Sequence, residues 1–94
     1  MISQKYLPLG YQQLTGLTAV QSLTVPTGTT DVLLSAEGAP IRFRDDGTAP
    51  AAGVGMLLPV AVAPYLYSGN VSALQFIQAS ATSTLNVSFY RRAG

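Results

Sequence analysis

Apolar and polar residues alternate one by one along much of the chain, and no stretch carries the spacing of an amphipathic helix. The pattern is cleanest from Asp31 to Gly38, where Val32, Leu34 and Ala36 face one way and Asp31, Ser35 and Glu37 the other. Ile41 to Arg44 repeats it, with Ile41 and Phe43 inward and Arg42 and Arg44 outward. Thr84 to Arg91 sets Leu85, Val87 and Phe89 against Asn86, Ser88 and Tyr90. Val20 to Val25 and, more weakly, Tyr11 to Leu17 read as strands too. Gly55 to Leu58 and Tyr65 to Tyr67 are short strands separated by Pro59 and Pro64, which places them at edges or bends, because proline cannot donate to a central ladder. Val71 to Ala79 is apolar on both faces, which predicts a strand covered on both sides.

Turn chemistry punctuates these segments at Pro26-Thr27-Gly28, Asp45-Asp46-Gly47 and Ser68-Gly69-Asn70. About eight short strands at this spacing predict an all-β fold, an antiparallel β-sandwich or jelly roll, with a small barrel as the other closed solution. No repeat or linker composition divides the chain, so residues 1–94 are expected to form one domain. Met1 to Lys5 and Arg92 to Gly94 are expected to be mobile ends. Residues 1–10 are expected to act as an arm that swaps onto a neighbouring subunit.

Composition narrows the function. Of 94 residues 48% are apolar and only 10% charged, with a formal net charge of +1 and no Cys, His or Trp. Lack of Cys removes thiol catalysis and thiolate metal sites, and lack of His removes the commonest general base and metal ligand. No catalytic set, cofactor site or metal site is expected, and the chain is not read as an enzyme. The charge is also unevenly placed: Gly47 through Tyr90 contains no Asp, Glu, Lys or Arg. Soluble domains are usually about 25% charged, so this one is expected to be partly covered by other protein chains. A net charge so near zero gives no footprint for nucleic acid or an anionic membrane. The most apolar stretch, Ala49 to Tyr67, holds Pro50, Pro59 and Pro64 and would break as a membrane helix. The N-terminal residues lack the sustained apolar run of a signal peptide.

Few residues suggest chemistry. Asp45 and Asp46 could lend oxygens to calcium, but no further acid has loop-motif spacing to them, and an Asp-Gly turn explains them better. Arg42 and Arg44 share a strand face, either as orientation-setting ion-pair donors or as a solvated face beside the acidic turn. Arg91 and Arg92 after Phe89 and Tyr90 are too few cations for a nucleic-acid groove. The tyrosines Tyr6, Tyr11, Tyr65, Tyr67 and Tyr90 suit either a sugar-binding platform or a protein interface. Tyr65 and Tyr67, on one strand face, lead as contacts with another chain. Together with Arg42, Arg44 and Tyr90 they are the candidate interface residues.

The run Ile41-Arg42-Phe43-Arg44-Asp45-Asp46-Gly47-Thr48-Ala49-Pro50, then Gly55-Met56-Leu57-Leu58, and the ending Leu74-Gln75-Phe76-Ile77 with Ala81 to Arg91, resemble small proteins of the structural modules of tailed bacteriophages and prophages. The residues before Asp31 contribute little to the likeness. The resemblance implies a virion accessory protein made in the host bacterial cytoplasm, and most nearly a capsid cement or decoration subunit on the virion surface. Its partners would be copies of itself and the major capsid protein, with neither nucleic acid nor membrane. The competing expectation is a tail or fibre module that binds a host-surface glycan or receptor through Tyr65, Tyr67 and nearby polar residues.

Overall fold

The computed structural model describes residues 5–93, and alternation over that span becomes eight strands. They are β1 (Lys5–Leu14), β2 (Gln21–Ser22), β3 (Asp31–Glu37), β4 (Ile41–Arg44), β5 (Met56–Leu58), β6 (Tyr65–Tyr67), β7 (Gln75–Gln78) and β8 (Thr84–Ala93). All pairings are antiparallel and form two four-stranded sheets, ordered β1-β8-β3-β6 and β2-β7-β4-β5. The protein is a β-sandwich. Its pairing is nested: β1 with β8, β2 with β7, β3 with β6 and β4 with β5, like one long hairpin wound into two layers.

The inward residues of both sheets meet in a single core. Val32 and Leu34 of β3 and Leu85, Val87 and Phe89 of β8 face Ile41 and Phe43 of β4 and Phe76 of β7. Leu14, Leu17, Leu58, Tyr67, Val71 and Leu74 close its margins. Within β3, β4 and β8 the buried apolar positions lie two residues apart, as a strand with one covered face requires. Among the described residues no buried side-chain nitrogen or oxygen lacks a hydrogen-bond partner. Gly38 turns the chain from β3 toward β4 with φ +86°, and a Cβ there would sit 2.9 Å from the Thr82 carbonyl oxygen. Only glycine fits that turn.

Several elements depart from the sequence expectation, each for a physical reason. The first strand begins at Lys5 and ends at Leu14, whereas alternation alone placed it at Tyr11 to Leu17. β1 takes in Pro8 and Gly10 because it is an edge strand whose register shifts between them, so a missing N–H and a bulge are both tolerated. Lys5 to Gly10 is therefore paired with β8 of the same chain and is not a free arm, while residues 1–4 lie outside the described residues. Likewise Arg92 and Ala93 belong to β8. Only Gln21 and Ser22 of the Val20 to Val25 segment pair in a sheet; Leu23 and Val25 leave it to pack beside the core with Leu9. Val71–Ala73 forms a 3-10 turn, and β7 spans only Gln75–Gln78, with Phe76 buried and Ile77 on the partly exposed outer side. The expected doubly covered strand is thus a turn followed by a singly covered one.

Phe76 is fully buried between the sheets and packs against Phe43 at a ring separation of 6.1 Å. Replacing it, Phe76→Ala, is expected to cost about 3–5 kcal/mol of unfolding free energy in urea titrations. Met56→Ala, at a position 66% exposed, should stay within about 0.5 kcal/mol of the parent.

Candidate functional site

The two lateral sides of the sandwich are finished differently. Along β1 and β2, Leu9, Leu23 and Val25 pack onto the core, and the Thr24 N–H donates to Gln12 Oε1 at 2.9 Å. Along β5 and β6, the two other edge strands, the side stays open as a groove of about 400 Å³ whose walls include Phe43, Met56, Pro59, Val62, Pro64 and Tyr65. Met56, Leu57, Val62 and Tyr65 are all exposed here. The connection between these strands, Pro59 to Pro64, is wholly uncharged, and its Ala61 is held at φ +58°. A left-handed alanine costs about 1–2 kcal/mol relative to an unstrained one, so this loop is fixed against its own backbone preference.

Charge is segregated along the long axis of the 44 × 28 × 20 Å molecule. Lys5, Asp31, Arg44, Asp45, Asp46, Arg91 and Arg92 lie where β3 starts and where β4 and β8 end. The connections at the opposite end (residues 15–20, 38–40, 59–64 and 79–83) contain no charged side chain, and among the described residues Glu37 alone stands beside them.

The five candidate interface residues meet different fates. Tyr65 and Tyr67 do share a face, but that face is the inner one. Tyr67 is 8% exposed and donates its hydroxyl proton to Asp45 Oδ2, so it is a core residue and not a contact surface. Its ring lies over Gly69, where a Cβ would come within 2.7 Å of Cζ. Tyr65, one register step nearer the open side, is 49% exposed with its ring 6.2 Å from that of Phe43. Arg42 reaches across the outer face of its sheet, donating from Nε to the Ala52 carbonyl (3.4 Å) and from Nη1 to that of Gly55 (3.2 Å), and so ties down the β4–β5 connection. Arg44 makes the two-pronged pair with Asp46, at 3.0 and 2.5 Å. Both arginines are engaged within the chain. Tyr90 sits on the outer face of the first sheet, edge-on to Tyr6 at 6.2 Å. Sequence reasoning passed over Met56, Leu57 and Val62, apolar residues of the open side. Their signal was present in the prolines that marked β5 and β6 as edges.

A polar lock closes the charged end. Asp31, with no exposed surface, accepts from Thr30 Oγ1 at 2.6 Å and from Ser68 Oγ, and lies 3.6 Å from Arg92 Nε. Burial pushes its carboxyl up, but the Ser68 and Thr30 hydroxyls and the Arg92 charge outweigh it, and the net displacement is below the ordinary 3.8. The hydrogen bonds from Arg44 hold Asp46 below the ordinary range as well. Burial, then the bond to Asp45, pushes the Tyr67 hydroxyl from 10.0 up to about 12. Asp45 and Asp46 are thus spent on Tyr67 and Arg44. Among the described residues no three Asp, Glu, His or Cys side chains gather as a metal site, and no helix is long and apolar enough to cross a membrane.

Comparison with protein-family models, with curated proteins and with solved structures finds no match for this chain.

Two tests follow from this geometry. The carboxylates with lowered values stabilise the fold above the unfolded-state pKa, and that contribution is lost as pH falls through the folded values. Urea stability should therefore decline below about pH 4 and decline less in Asp31→Asn, whose starting stability should be lower by about 1–3 kcal/mol. For Tyr67 the sign reverses. Its contribution is present below 10.0 and lost as pH rises toward about 12, and Tyr67→Phe should remove that alkaline component. Separately, Ala61→Gly should relieve the positive φ and raise stability by up to about 1 kcal/mol, read as a shift in the urea midpoint.

Proposed function

We propose that this protein is a non-enzymatic structural subunit whose β5–β6 side is covered by another protein chain. The observation that carries the reading is the open, uncharged edge: two short edge strands, a strained apolar connection and a groove that none of the described residues fills. Unpaired edges bearing large apolar side chains are an aggregation hazard unless charge, proline or a partner blunts them. Here charge is absent, and Pro59 and Pro64 flank the connection without covering Met56, Leu57 or Leu66. A stable interface takes about 800 Å² from each partner, a modest part of the 5293 Å² surface of this chain.

The setting we propose is a phage or prophage virion, with the chain as a capsid cement subunit bound across major capsid proteins and beside copies of itself. Support comes from the resemblance carried by Ile41 to Pro50 and the β8 region, and from the nested strand pairing, which we read as a jelly roll. Repeated attachment to a lattice would multiply modest single contacts. The Arg42 and Arg44 engagements fit this role indirectly, since they stiffen the β4–β5 connection next to the open edge.

Leu57→Lys places a charge on the free edge without entering the core. The variant should fold with unchanged urea stability, yet lose co-sedimentation with capsids and with it the added resistance of particles to heat. Parent protein that neither binds capsids nor self-associates in light scattering at micromolar concentration would reject the assignment.

A further inference from the structure

We infer that the outer face of the β1-β8-β3-β6 sheet is a second binding surface, a platform for an uncharged oligosaccharide. Register places Tyr6 and Tyr11 of β1 and Tyr90 of β8 on this one face, away from the core and away from the β5–β6 groove. Tyr11 is 62% exposed, and Tyr6 and Tyr90 meet edge-on, leaving ring surface toward solvent. Between Tyr6, Tyr90, Leu33 and Leu66 lies a shallow depression of about 270 Å³. Sugar rings present flat C–H faces that pack on such aromatic surface, while their hydroxyls require polar partners at the rim.

Polar partners stand farther along the same face, where Asn86 of β8 lies beside Gln13 of β1. Asn86 Oδ1 accepts both the Tyr11 hydroxyl proton and a bond from Gln13 Nε2 at 3.0 Å. With that oxygen occupied, the Asn86 amide still carries two N–H donors, and the Tyr11 oxygen and Gln13 Oε1 add acceptors. Donors and acceptors side by side suit a hydroxyl, which both gives and receives a hydrogen bond. They suit a carboxylate or phosphate poorly. Charge on the face agrees: Arg92 is balanced by Asp31 at 3.6 Å, and Glu37 stands at the far end of β3. The tyrosines thus divide between two jobs, with Tyr65 at the apolar groove and Tyr6, Tyr11 and Tyr90 on the sugar platform.

The test is an NMR titration of the full chain with maltohexaose, cellohexaose and chitohexaose, alongside a printed array of neutral and acidic bacterial polysaccharides. At least one neutral glycan should shift resonances of Tyr6, Tyr11, Asn86 and Tyr90 while leaving those of Met56 and Tyr65 in place. Tyr11→Ala, at an exposed position, should fold normally and weaken binding about tenfold, whereas Leu57→Lys should bind as the parent does. Absence of any neutral binder, or shifts confined to the β5–β6 side, would overturn the inference. So would concentration-dependent shifts of this face without sugar, which would make it a contact between copies of the chain.

Discussion

Two sheets that face each other across a core without charge impose alternation on every strand, and the rest of this protein depends on that constraint. Phe76 and Phe89, both essentially inaccessible, mark the middle of the core, and the register of β3 on β8 and of β4 on β7 is fixed by keeping such residues inside. A slip by one residue would turn Leu85, Val87 and Phe89 outward and bring Asn86, Ser88 and Tyr90 into the core. With inner positions determined in this way, the outer positions of the same strands are free to carry recognition chemistry. The tyrosines and amides of the first sheet occupy those positions.

Polar interactions act mainly at one end. Asp31 ties the start of β3 to the residue after β6 and to the end of β8, while the Tyr67–Asp45 contact joins one sheet to the other. Hydrogen-bonded in this way, a carboxylate can remain ionised although it is inaccessible to solvent. At the opposite end the restraints are uncharged: the buried Ser83 hydroxyl bonds to the Ala81 and Pro40 carbonyls, and Gln21 Nε2 donates to that of Gly16. The Pro59–Pro64 segment is mostly exposed, only Val60 packs against the core, and Ala61 keeps its left-handed backbone there.

Strand content was legible in the sequence because alternation is a local signal: β3, β4, β5 and β6 fall within the segments that their patterns mark out. Where partners in space decide, the reading failed. Pro8 and Gly10 look like breakers unless β1 is known to be an edge with a bulge. Leu23 and Val25 look like strand residues unless the sandwich side they fill is known. Tyr65 and Tyr67 were rightly placed on one face, but whether that face points inward is a tertiary fact, and it assigned one ring to the core and the other to the groove rim. The acidic turn was readable from Asp45-Asp46-Gly47, yet its engagement with Tyr67 and Arg44 rests on contacts that spacing does not encode.

The nested pairing has a kinetic side. β8 lies between β1 and β3, so the first sheet lacks one of its two central strands until the last of the eight has left the ribosome. An emerging chain that has made only β1 to β7 holds three strands of that layer with no ladder joining β1 to the others, and their apolar faces stay wet. Loop closure across nearly the whole sequence must then precede consolidation, which places this molecule among slow folders relative to helical domains of equal length. The first layer is complete only once β8 has slotted between β1 and β3.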